Sequence, residues 1–211
     1  MRYILFVILL FPVLTNAQPT EKEIEKRAFK LGVVPQYAII NGARFDLDFR
    51  MKKPNHWITV APQVYIRDQG NLDWDYHSMF GAGIEIQHKI FLTSQAQNRS
   101  IYIAYGPVFN FFSVKDNGLT ARQFVENGGT YIGLIEDELT TNIYKIGGNL
   151  IFGIQYIISE RFYIDPYLGT GIRFSFDNRT SGLHGYYNDW WSDMGYSGTL
   201  IVGGMRFGVI F

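Results

Sequence analysis

No cysteine occurs anywhere in the 211 residues. That absence removes disulfide staples, thiol catalysis, Cys-based metal sites and a lipidated N-terminal Cys together. An excess of one charge is missing as well, since 19 basic side chains stand against 19 acidic ones. Such balance excludes the basic surface that a nucleic-acid partner attracts. Nor is there an apolar run long enough for a membrane-spanning helix, which needs about 20 residues. The best candidate, Ile4 to Leu14, is broken by Pro12, follows Arg2 and ends at Thr15-Asn16-Ala17. Those features are the build of a secretory leader cut near Gln18. Losing Arg2 with the leader takes the basic count from 19 to 18, a net charge of −1. The expected division is a signal peptide over 1–17, a short periplasmic segment over 18–28 with the charged stretch Glu21–Arg27, and one folded unit over 29–211.

What the chain has in quantity is aromatic side chains, at 17%, and glycine, at 22 residues, with only 18% charged. This mixture suits strands and tight turns rather than helices. From Phe29 onward, apolar and polar residues alternate with period two through eight segments, which predicts strands. They are Phe29 to about Ile39, Ala43–Met51, Trp57–Arg67, Phe80–Phe91, Ile101–Phe112, Ile143–Tyr156, Phe162–Phe174 and Tyr196–Phe211. In the second, Phe45, Leu47, Phe49 and Met51 oppose Arg44, Asp46, Asp48 and Arg50, a pattern that no helix face can hold. Odd-numbered segments each carry a proline on the apolar face, at Pro35, Pro62, Pro107 and Pro166. Proline lacks the N–H that a ladder uses, so local bulges are expected there. The connectors alternate too. Ile40–Gly42, Arg67–Met79, Ser113–Asn142 and Ser175–Gly195 leave on one side, and three of those four are long; the connectors on the other side are all short. Membrane barrels show that asymmetry, with short periplasmic turns and longer external loops.

Alternation alone fits both a soluble sandwich and a membrane barrel. The polar face decides between them. It carries Lys30, Arg44, Asp46, Asp48, Arg50, Arg67, Glu85, Lys89, Lys145, Asp165, Arg173 and Arg206 among many glycines, while the apolar face is nearly free of charge, with His88 the nearest exception. Pairable charges packed with glycine suit a narrow lumen, and Tyr and Phe near segment ends suit an aromatic girdle. The expected fold is an all-β, closed, antiparallel up-and-down barrel of about eight strands that spans a bacterial outer membrane.

The chain resembles the small outer-membrane β-barrel proteins of the OmpA/OmpX kind, and more closely the barrels common in Bacteroidetes-type bacteria. The resemblance covers Phe29 to Phe211. It rests on the leader, the eight segments, the run Gly81-Ala82-Gly83-Ile84-Glu85-Ile86, and the closing Met205-Arg206-Phe207-Gly208-Val209-Ile210-Phe211. It implies that Phe207, Val209 and Phe211 form the signal read by the barrel-assembly machinery, and it supplies no catalytic motif.

Two sets of residues are candidates for function. The twelve polar-face charges either pair with one another in a closed interior, which eight strands leave just room for, or form a polar pathway for ions or a small solute. The last long connector carries Tyr186, Tyr187, Trp190 and Trp191 between carboxylates and amides. Those rings either bind a sugar or protein partner or pack the loop onto the rim. The Ser113–Asn142 connector is a further candidate loop, or simply an extended hairpin. His56, His77, His88 and His184 lie in separate regions, so no Ser–His–carboxylate arrangement emerges, and no metal or cofactor site is expected. The expected function is a structural, adhesive or surface-binding barrel, in contact with outer-membrane lipid, the assembly machinery and an envelope protein or glycan. The alternatives are an accessory subunit of a transport or secretion complex, a narrow small-solute channel and, last, a lipid-modifying enzyme.

Overall fold

The computed structural model describes residues 28–67, 78–93, 98–126, 128–159, 161–179, 187–188, 190–191 and 193–211. Eight strands follow one another in sequence: β1 (Phe29–Val33), β2 (Gly42–Arg50), β3 (His56–Arg67), β4 (Ser78–Phe91), β5 (Arg99–Glu126), β6 (Gly129–Ile157), β7 (Phe162–Arg179) and β8 (Gly198–Ile210). Each pairs antiparallel with the next, and the ring closes where β1 pairs with β8, with Lys30 opposite Ile210. The register can be followed once around the wall from Phe29 through Phe49, Ile58, His88, Tyr105, Leu150 and Thr170 to Ile201. Carried on past Val33 opposite Phe207, the β8–β1 register brings Ile201 level with position 39, so one circuit that began at 29 has advanced ten residues. With strands ~4.8 Å apart and ~3.3 Å per residue, that stagger tilts the strands by roughly 40° to the barrel axis.

The expected first strand is overturned beyond Val33. Residues Pro35–Ile40 form a 3-10 turn with proline at its start, closed by Asn41 at φ 54°. Pro35 has its φ fixed and no N–H to give a neighbouring strand, so the chain turns there instead of continuing the wall. The 113–142 connector, by contrast, is mostly strand. β5 and β6 stay in register from Arg99↔Tyr156 up to Glu126↔Gly129. Asn-Gly is the signature of a two-residue hairpin turn, and Gly128 sits at φ 80°. Beyond Lys115 and Thr141 neither strand pairs with another strand among the described residues, so the pair projects from the ring as a two-stranded ribbon.

The three remaining prolines have a common geometry. The ladder between β2 and β3 is interrupted at Phe45–Asp46 opposite Ala61–Pro62. The β4–β5 ladder breaks at Ile86–Gln87 opposite Gly106–Pro107, and the β6–β7 ladder at Ile154–Gln155 opposite Asp165–Pro166. On its other side each proline is paired without a gap, with Ile84, Gly148 and Met205 respectively. A residue in an antiparallel strand turns its N–H and C=O to one neighbour only. Each proline therefore turns its missing donor toward the preceding strand and leaves the following ladder whole.

The wall is inverted relative to a soluble protein. Side chains of one parity, such as Phe45, Ile84, Phe109, Phe152, Leu168, Ile172 and Ile201, are large, apolar and exposed around the outside. Those of the other parity point inward. The interior is fitted by pairing large rings with glycine: Tyr102 opposes Gly153, Tyr163 opposes Gly208, Tyr167 opposes Gly204 and Phe112 opposes Gly81. A Cβ at Gly153 would collide with the Tyr102 ring, and one at Gly208 with the Tyr163 ring. Alternating small and large residues is how a narrow barrel fills its own lumen.

Candidate functional site

The inward parity places a charged layer across the middle of the lumen. Lys30, Arg44, Asp46, Asp48, Glu85, Lys89, Asp165 and Arg206 are all buried, four basic against four acidic. Arg44 donates from Nε to Asp46 Oδ1 at 2.7 Å and from Nη1 to Glu85 Oε2 at 2.5 Å. Arg206 closes on Asp46 through Nε and on Asp165 at 3.2 Å, and donates to the Tyr102 hydroxyl at 2.8 Å. Its guanidinium lies 4.4 Å from the Tyr167 ring centre. Lys89 reaches Asp48 at 2.8 Å and Asp165 at 3.6 Å. Lys30 donates to Gln155 Oε1 at 2.7 Å and rests 4.1 Å from the Trp57 ring and 4.7 Å from that of Phe91.

Neutral polar groups complete the acceptors' coordination. Thr59 donates to Asp48 at 2.5 Å, Tyr102 to Asp165 at 2.6 Å and Gln87 to Glu85 at 2.6 Å, while Asn149 also donates to Glu85. Every strand of the ring contributes at least one group to this layer. Ions this far from water are kept by partners, because the desolvation of each is recovered only through close pairing. Aromatic and aliphatic clusters flank the charged layer at both ends. Toward the long loops lie Tyr65, Met79, Phe112, Val114, Ile143 and Tyr187; at the short-turn end lie Ile157, Tyr163 and Ile210.

Four of the twelve charges expected on the lumen face lie outside that central layer. Arg173 is buried and donates to the Gly148 carbonyl at 3.1 Å. Arg50 and Arg67 are half-buried near the two strand ends, and Lys145, also half-buried, donates to the Asp193 carbonyl at 2.8 Å at the mouth. Sequence reasoning left out Thr59, Gln87, Tyr102, Asn149 and Gln155 from the network. Their parity put them on the polar face, and that was the available signal.

The aromatic loop separates into parts. Tyr187 turns into the mouth, buried at 6% exposure, and its hydroxyl donates to Asp116 Oδ2 at 2.8 Å. Trp190 and Trp191 face out, 61% and 53% exposed, their ring centres 6.4 Å apart. Tyr186 lies outside the described residues, as do His77 and His184 and the 1–17 and 18–27 segments. His56 and His88 meet on the outside of the wall, Nδ1 to Nε2 at 2.9 Å, and His88 Nδ1 contacts the Tyr105 hydroxyl at 2.8 Å. No group of three or more His, Asp or Glu able to hold a metal occurs among the described residues. Phe207 and Phe211 are exposed on the outer face, with Phe211 5.7 Å from the Phe29 ring, and Val209 is half-buried.

No protein-family model matches the chain, and no curated protein matches it. Among solved structures it is similar to the crystal structure of Acinetobacter baumannii CarO. That likeness is 12% identical, covers 89% of this chain and 99% of that one, and has a TM-score of 0.45. The crystal structure of Acinetobacter baumannii CarO2 is similar at 12% identity, over 88% of this chain and 98% of that one, with a TM-score of 0.37.

Proposed function

We propose that the protein is an outer-membrane β-barrel of structural or surface-binding type, with a lumen sealed by its own side chains and with the long-loop end as its binding surface. One observation carries this reading: the exterior is a belt of exposed Phe, Ile, Leu and Tyr, while four cations and four carboxylates are buried inside, with Arg44, Lys89 and Arg206 ion-paired to the four carboxylates and Lys30 held by Gln155 and the Trp57 and Phe91 rings. Water would expose the first set at high cost and has no access to the second; a bilayer around the belt removes both difficulties. A closed ring also leaves no free strand edge in hydrocarbon, its ladders being broken only at the three wall prolines among the described residues. In this orientation the short turns face the periplasm, the ribbon and the Trp190–Trp191 loop face outward, and Phe207, Val209 and Phe211 present the assembly signal. The test is to fold the protein into vesicles, compare gel mobility with and without boiling, and record planar-bilayer conductance. A heat-dependent shift and a silent bilayer are expected. A soluble monomer contradicts the membrane reading, and steady conductance contradicts the sealed lumen and favours the small-solute channel.

A second reading, an accessory subunit of an envelope complex, draws on the ribbon. Val125, Ile132 and Leu134 stand exposed on one of its faces and Phe124 and Tyr131 on the other. Among the described residues no strand pairs with either of its edges, and such an edge is a template for strand addition by a partner. Co-purification from a detergent extract, with and without residues 119–134, tests this reading. Loss of an envelope protein on excision supports it, and an unchanged set of co-purifying proteins opposes it.

A further inference from the structure

The two ends of the barrel differ in charge. At the short-turn end, residues 50–56, 92–100 and 157–161 carry Arg50, Lys52, Lys53, Arg99 and Arg161, five basic residues, against the single carboxylate of Glu160. Lys52, Lys53, Arg99 and Arg161 are exposed. The segment before the first strand leaves that excess unchanged, because Glu21, Glu23 and Glu25 are matched by Lys22, Lys26 and Arg27. The opposite end runs the other way: its ribbon has Asp116, Glu126, Glu136, Asp137 and Glu138 against Lys115 and Arg122.

The basic residues also stand where the apolar belt ends. Arg99 lies 5.9 Å from the ring of Tyr156, an outward-facing side chain of the wall. Just inside the Lys52–Lys53 turn, the linked polar groups His56, His88 and Tyr105 interrupt the outward isoleucines Ile58, Ile90 and Ile103. A long basic side chain at such a border lays its stem on hydrocarbon and lifts its charge to the headgroups.

We infer that the short-turn rim is a docking surface for anionic phospholipid headgroups, whose phosphates the exposed Lys52, Lys53, Arg99 and Arg161 engage. The inference rests on the membrane orientation proposed above and adds to it the lipid class that borders this rim. Basic residues at a membrane surface attract anionic lipid additively, and salt screens the attraction.

The whole chain is folded into phosphatidylcholine vesicles and into vesicles of phosphatidylcholine and phosphatidylglycerol in equal parts, and the midpoint of the heat-dependent mobility shift is read in each. The midpoint rises with phosphatidylglycerol at low salt and loses that rise at high salt. The combined variant K52Q/K53Q/R99Q/R161Q keeps the wild-type midpoint in phosphatidylcholine and gains nothing from phosphatidylglycerol, while K52R/K53R retains the gain. A wild-type midpoint equal in the two lipids overturns the inference, as does a glutamine variant that keeps the gain. So does inorganic phosphate reproducing the rise in phosphatidylcholine vesicles, since the site then takes free phosphate. No heat shift in either lipid overturns the barrel reading and the rim with it; a shift indifferent to lipid charge overturns the rim alone.

Discussion

Arg206 shows how far a single residue is committed to the fold. Fully buried, it meets two carboxylates, the Tyr102 hydroxyl, Gln87 and the Tyr167 ring. Replacing it by Met strands Asp46 and Asp165 without their shared cation, which is expected to cost about 3–5 kcal/mol. The exposed pair Lys115–Glu138, at 2.8 Å, is the contrast, and Lys115→Met should cost about 0–1 kcal/mol. Urea unfolding from vesicles measures both, and equal costs would show that the lumen is solvated. The loop aromatics separate in the same way. Tyr187→Ala should lower the midpoint of the heat shift, because it removes a buried ring and its bond to Asp116, whereas Trp190→Ala and Trp191→Ala should leave it unchanged. A destabilised Trp190→Ala would place that ring in the rim packing.

At the scale of the strand, parity was the most legible property of the sequence. A strand has only two faces, so one charge on every second residue from Arg44 to Arg50 settles which residues share a side. Less legible was where strands end. Pro35 turns the chain out of the wall while Pro62, Pro107 and Pro166 stay in it, and the difference lies in whether a following strand pairs fully with that segment, which is a tertiary matter. The ribbon was hidden by Asp116-Asn117-Gly118 and Glu136-Asp137-Glu138, which read as loop composition although each lies within a paired strand. The inward turn of Tyr187 had no local signal, since it depends on Asp116, 71 residues away. Two expectations belong to this scale. Arg placed at Ile84, Phe152 or Ile172 should cost about 2–4 kcal/mol at mid-bilayer depth, read from the same urea unfolding; no cost at the three sites would mean that the faces are assigned the wrong way round. Replacing residues 119–134 by a two-residue turn should leave the heat shift intact, because β5 and β6 remain paired from Arg99 to Lys115 and hold their other neighbours. Loss of the shift would make the ribbon part of the folding unit.

For the molecule as a whole, the proposed membrane placement is one division: charged and polar groups held within, apolar side chains turned to lipid. The stagger of ten, the ring–glycine pairs and the balanced lumen charges all belong to one closed ring that packs its inward side chains against one another. Because the sequence has no cysteine, single cysteines report on that division without background. The direct measurement is spin labelling at Ile84, Phe152, Leu168 and Trp190 in reconstituted vesicles, with collision by oxygen compared with collision by an aqueous nickel complex. Labels at Ile84, Phe152 and Leu168 are predicted to collide with oxygen and not with nickel, and the label at Trp190 to collide with nickel. Ready access of the nickel complex to the three wall positions would contradict the account.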